Sequence, residues 1–293
     1  MSFNLVDYKS SELLSLARTV ETPLSTGEVH CLSLRSDPEQ LYYLYLPANV
    51  NSNTKIFVSV HGISRNAESH ARRNIKRAEK RNVVIVAPLF TKQRFPDYQR
   101  LGRTGGLRAD YKLLDILDEV KEKVGLNAQR FYLFGYSGGG QFVHRFAMAH
   151  PDKVARVAIG AAGWYTPPNE CRRFPYGLRS DPKLPDLHFD IQKIVKIPAC
   201  VIVGELDKEW DDQLRLSEKI IKRQGKTRIE RGRNWINKMQ EKARQYQRST
   251  PYEFHLLPNA GHSYRQCMRE GKMGGIVFRF LFGPLPELIT NKS

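Results

Sequence analysis

The stretch LFGYSGGGQF, Leu133 to Phe142, decides how this chain is read. Four glycines surround one serine, with the apolar run RFYLF (130–134) before it and an amphipathic segment after it. A strand that turns sharply into a helix strains one residue at the apex, and small neighbours on both sides let the two backbones approach. Gly135-Tyr136-Ser137-Gly138-Gly139 supplies that Gly-x-Ser-x-Gly arrangement. Five residues of this kind recur by chance, so the weight lies on the strand before and the helix after. Ser137 is thereby a candidate nucleophile.

A serine hydroxyl attacks poorly until a base takes its proton, and the base must be held in one tautomer by an acid. At turns of this type the acid follows the serine in the chain and the histidine follows the acid. Two downstream strand ends carry the needed groups: VIVGELD ends in Asp207, and HLLPNAGHS places His262 in a loop opened by Pro258, Asn259, Ala260 and Gly261. The rivals read differently. Glu205 lies two residues from Asp207, while Asp211 and Asp212 suit the cap of the next helix. Of the other histidines, His255 falls inside a strand, His144 falls on a helix, and His61 sits in a loop whose shape its ring is expected to hold.

The rest of the chain alternates apolar, β-branched runs with longer amphipathic segments. Strands are predicted at 41–47, 55–62, 82–88, 130–137, 154–163, 199–207 and 252–262. Several are almost wholly apolar, as strands covered on both faces are. Helices are predicted at 66–81, 106–124, 141–150, 211–223 and 275–282, with a short amphipathic helix near the N-terminus on Leu13, Leu14, Ala17 and Val20. The alternation predicts an α/β fold with a mostly parallel sheet of about eight strands and helices on both faces. Ligands in such sheets gather at the carboxyl ends of the strands. Two segments interrupt the pattern at those ends. One, 164–196, is rich in proline, aromatic and basic residues. The other, 226–249, sets Trp235, Met239, Ala243 and Tyr246 on one helical stripe with a basic opposite face. The first is a possible cap insertion; the second is an extra basic amphipathic helix, a cap or a covering helix.

With Ser137, Asp207 and His262 in this order, the chain resembles the α/β-hydrolases over residues 40–282. LYYLYLP ahead of VHG, and GYSGGG, are most similar to bacterial polyhydroxyalkanoate depolymerase-like and feruloyl-esterase-like members. The resemblance implies a single α/β-hydrolase domain over 1–293 and a serine esterase that needs no cofactor or metal. It also implies an oxyanion hole built from the backbone N–H groups of Gly138 and Ile63. Ile63 and Ser64 follow His61-Gly62 where many esterases carry HGGG, so a two-donor hole is expected. Trp164 and Tyr165, next after the strand at 154–163, are candidates for the substrate pocket or for the core beneath a cap. The implied substrate is a small or oligomeric ester. A serine peptidase or amidase is the alternative within the fold; a non-catalytic binder of anionic partners is the alternative outside it.

Composition narrows the remaining choices. The net charge of +17 favours anionic partners or substrates by long-range attraction. Its clusters at 71–81 and 215–248 have helical periodicity, so solvated helix faces account for them without a specific nucleic-acid site. The opening MSFNLVDYKSSELLSLARTV lacks the basic start, apolar middle and small-residue cleavage site of a secretory signal, and no apolar run is long enough to span a bilayer. A cytoplasmic enzyme is expected. The four cysteines, Cys31, Cys171, Cys200 and Cys267, form no CxxC pair, and no GxxxxGK[S/T], HExxH or dinucleotide GxGxxG motif is present.

Overall fold

The computed structural model describes residues 24–208 and 217–283. The expected N-terminal helix, the first part of the expected 211–223 helix, and Asp211 and Asp212 lie outside them. Among the described residues eight strands form one sheet in the order β1-β2-β4-β3-β5-β6-β7-β8. They are β1 (Val29–Leu34), β2 (Asp37–Tyr45), β3 (Lys55–Val60), β4 (Val83–Pro88), β5 (Phe131–Tyr136), β6 (Val154–Gly160), β7 (Ala199–Gly204) and β8 (Tyr252–Leu257). β2 pairs antiparallel with β1 and β4, and every pairing from β4 to β8 is parallel. All residues of β4 and β7, and all of β3 after Lys55, are buried. Consecutive residues point to opposite faces, so both faces of the central sheet are covered.

The helices are α1 (Ala67–Arg72), α2 (Ile75–Arg81), α3 (Ala109–Val124), α4 (Gly138–Ala149), α5 (Ile191–Ile194), α6 (Glu218–Gln224), α7 (Arg228–Gln245), α8 (Tyr264–Arg269) and α9 (Met273–Phe282). The single helix predicted over 66–81 is two. Asn74 Nδ2 donates to the carbonyl of His70 at 2.9 Å, a side-chain bond that competes with the helical ladder and marks the break at Arg73-Asn74. β1 escapes the sequence pattern because it is an edge strand whose buried and half-buried residues alternate, with the polar His30 and Ser33 among its six residues.

α7 is the extra basic helix. Thr227 accepts the N–H of Glu230 at 3.2 Å, fixing its start. Trp235, Ile236, Met239 and Ala243 are buried on the stripe the periodicity gave, and the helix packs against β7 and β8. There is no room for a Cβ on Gly232, which would stand 2.7 Å from Val201 Cγ1. Segment 164–196 has little regular structure apart from α5, which Asp190 caps through the N–H groups of Gln192 and Lys193. Trp235 Nε1 donates to the Thr166 carbonyl at 2.8 Å, tying this segment to α7.

Candidate active site

Ser137 stands between β5 and α4 with φ 54° and ψ −112°, a conformation that a residue with a side chain adopts only under local constraint. Its N–H donates to Gly160 O at 2.8 Å, anchoring the turn to β6. The glycines around it are spatial requirements. A Cβ on Gly135 would stand 2.2 Å from Gly139 O, and one on Gly139 would stand 2.1 Å from Val60 O. β3, β5 and α4 therefore meet backbone to backbone, which leaves Ser137 Oγ standing at the carboxyl end of the sheet.

His262 Nε2 lies 3.1 Å from Ser137 Oγ, and His262 Nδ1 lies 2.7 Å from Asp207 Oδ2. A carboxylate only accepts, so the ring proton sits on Nδ1 and Nε2 is left to accept from the hydroxyl. The two loops that carry Asp207 and His262 are stitched together. Glu205 N–H donates to Leu257 O and Leu206 N–H to Ala260 O, each at 2.9 Å. Gly204 permits this, because a Cβ there would meet Ala260 O at 2.2 Å. Tyr136 lies against the imidazole, ring centroids 5.5 Å apart. The Tyr136 hydroxyl is within 3.5 Å of Cys267 Sγ, and burial raises that thiol's pKa, so Cys267 is kept as the unreactive thiol.

Asp207 is buried, and its second oxygen accepts from Arg228 Nη1 at 3.0 Å, with both side chains only 1% exposed. Arg228 is the first residue of α7, so the extra helix delivers a cation to the acid. The sequence reading missed it: a lone arginine in a basic helix has no motif.

The loop after β3 is held from several sides. His61 is buried; its Nδ1 donates to Gly62 O at 2.8 Å and its Nε2 accepts the Phe90 N–H at 3.0 Å. Burial holds its pKa down to about 3, so the ring is neutral. The Tyr98 hydroxyl donates to His61 O at 3.0 Å, and the Arg65 guanidinium lies 4.5 Å over the Tyr98 ring while donating to the Phe95 carbonyl at 3.2 Å. The result sets Ile63 beside Gly138: a Cβ on Gly138 would stand 3.0 Å from Ile63 Cγ2, 2.5 Å from Tyr98 Oη and 3.4 Å from Gln99 Nε2. Gln99 is a second residue the sequence reading passed over, and its amide reaches the residue after Ser137.

Trp164 and Tyr165 are both buried. Trp164 lies under the Arg145 guanidinium at 4.2 Å and beside Tyr176; Tyr165 is packed between His144 and Trp235. Arg145 Nη1 also donates to Gln99 O at 2.6 Å, so Trp164 is joined to the Ser137 surroundings through that arginine, while Tyr165 belongs to the core under α7. Among the described residues no group of three or more His, Cys, Asp or Glu is arranged to hold a metal ion, and no helix is long and apolar enough to cross a membrane.

No family model and no curated protein sequence matches the chain. Solved structures do. Poly(aspartic acid) hydrolase-1 from Sphingomonas sp. KT-1 superposes with a TM-score of 0.70 at 22% identity, over 83% of this chain and 93% of that one. LpqC, a poly(3-hydroxybutyrate) depolymerase from Bordetella parapertussis, gives 0.69 at 24% identity, over 90% and 92%. A ferulic acid esterase gives 0.55 at 14% identity, over 86% and 97%. The fold is that of the α/β-hydrolases. Within the α/β-hydrolase fold the serine turn after β5, the acid after β7 and the histidine after β8 follow the chain order expected from the sequence.

Proposed function

We propose that the chain is a serine hydrolase of carboxylic esters acting through an acyl-enzyme on Ser137. The observation that carries this reading is the continuous hydrogen-bonded line from Ser137 Oγ through both nitrogens of His262 to Asp207. Ser137 Oγ attacks the acyl carbon while its proton passes to His262 Nε2. Asp207 holds Nδ1–H and stabilises the imidazolium, and Arg228 keeps the carboxylate oriented. The backbone N–H groups of Gly138 and Ile63 receive the oxyanion, each worth on the order of 3 kcal/mol in barrier. The leaving alkoxide takes the proton from Nε2. Water then attacks the acyl-enzyme with the same nitrogen as base, which releases the acid and restores the serine. No cofactor enters any of these steps.

The substrate class follows from charge. With +17 overall, the chain draws anionic substrates toward it; one structural relative is named for the hydrolysis of poly(aspartic acid), an acidic polymer joined by amide bonds, and so supports the anionic character rather than the ester bond. Small or oligomeric esters bearing carboxylates are the preferred substrates in this reading. Turnover of a p-nitrophenyl ester and of the matching anilide by one preparation separates ester from amide preference. In Ser137→Ala, kcat/KM for p-nitrophenyl butyrate drops by about 10⁴-fold or more with the fold retained. Undiminished turnover in that variant would remove the reading.

A further inference from the structure

A concavity lies apart from the Ser137 surroundings. It is a cavity of about 350 Å³ between segment 164–178, α6 and α7, and it shares no wall residue with Ser137, Asp207 or His262. Its size suits a small organic ligand. Among the described residues five cations face it, Arg172, Lys219, Arg223, Lys238 and Lys242, against one carboxylate, Glu241. Among the described residues only Lys242 is matched elsewhere, by Glu170 at 2.7 Å. Among the described residues no carboxylate lies within ion-pair distance of Arg172, Lys219, Arg223 or Lys238. Lys238 is half-buried, and its Nζ donates to the Arg223 carbonyl at 3.0 Å, which fixes the ammonium at the wall. Burial, and after it the neighbouring Arg172 charge, pulls its pKa below the ordinary lysine value. Cations gathered around a concavity raise the local potential and draw an anion into it. The wall also carries apolar groups, Pro167, Pro168, Ile220 and the ring of Tyr176.

We infer that this cavity is a binding site for a small organic oxyanion, its phosphate or carboxylates set among Arg172, Arg223 and Lys238 and its apolar body laid against Tyr176 and the two prolines. The site does not depend on any role for Ser137. It gives α7 two tasks, Arg228 at its start on the Asp207 carboxylate and Lys238 in its middle on the ligand.

Calorimetric titration of the full chain with phenyl phosphate, phenylmalonate and inorganic phosphate tests this. Saturable one-site binding of at least one phenyl ligand is expected, tighter than inorganic phosphate. The variant Arg223→Gln/Lys238→Gln should bind it about tenfold or more weakly, the loss of one or two charge-assisted hydrogen bonds. Lys76→Gln/Lys80→Gln removes the same charge from exposed positions on α2 and should stay within about twofold of wild type, since only general attraction is lost. The tighter of the two phenyl ligands tells whether phosphate or carboxylate is the natural head group. If the cavity variant does not fold by circular dichroism, Arg172→Gln on the exposed loop replaces it. Absence of saturable binding up to about 5 mM, or an equal loss in the α2 control, overturns the site.

Discussion

On the serine side of His262, Gly135, Gly139 and Gly140 let β3, β5 and α4 pack backbone against backbone. On the acid side, Asp207 meets His262 and Arg228 through side chains brought in by three separate elements. The first region is made by what is missing, Cβ atoms, and leaves a dense local mark in ten residues of sequence. The second is made by long-range meetings, and its mark is spread thin. The same hydrogen-bonded line thus has one end constrained by backbone sterics and the other by buried charge.

The largest expected effect falls on the backbone side. Gly139→Ala drives a methyl into the Val60 and His61 carbonyls, and neither neighbour is a flexible side-chain end. It should cost about 3 kcal/mol or more, read as a lower urea midpoint. A neutral result would mean that β3 and α4 can part without cost. On the acid side, Arg228→Met leaves Asp207 buried with His262 as its remaining partner. Breaking a buried pair by removing one member costs on the order of 3 kcal/mol. Here the loss should also show in kcat, because the carboxylate that orients the imidazole loses one of its two holds. Unchanged kcat with reduced stability would make Arg228 structural only.

The smallest effect, that of the first pH unit below about 6.5, comes from buried rings. His61 is neutral in the fold, its pKa held down by burial to about 3 against the ordinary 6.5. His70 and His144 are held down in the same way, burial again the leading cause. The unfolded chain binds these protons first, so stability is fully present above about pH 6.5 and drains as pH falls toward the folded values. Each ring contributes up to about 1.4 kcal/mol per pH unit in that window. His61→Gln should flatten the acid limb of a plot of unfolding free energy against pH; an unaltered slope would show that the ring is already protonated in the fold.

How much of this was readable in advance follows the same division. The serine turn, and the strand ends carrying Asp207 and His262, stand out because apolar strands stop abruptly at polar, glycine-containing loops. α7's buried stripe was legible for the same reason, since periodicity survives without knowledge of what it packs on. Arg228 and Gln99 were not: each is an ordinary polar residue locally, and only folding puts one on Asp207 and the other beside Gly138. β1 hid in an edge pattern, and Asn74 split a helix whose apolar spacing continues across the break. The basic cavity was not legible as one joint site, because Arg172, Arg223 and Lys238 lie on three different segments.

The central claim is that Ser137 Oγ is the atom acylated, and the mass of the labelled peptide tests it most directly. After treatment of the full chain with a fluorophosphonate, the account places a single adduct on the peptide that contains Ser137, absent in Ser137→Ala and slowed in His262→Ala. An adduct elsewhere, or one that persists in Ser137→Ala, would contradict it.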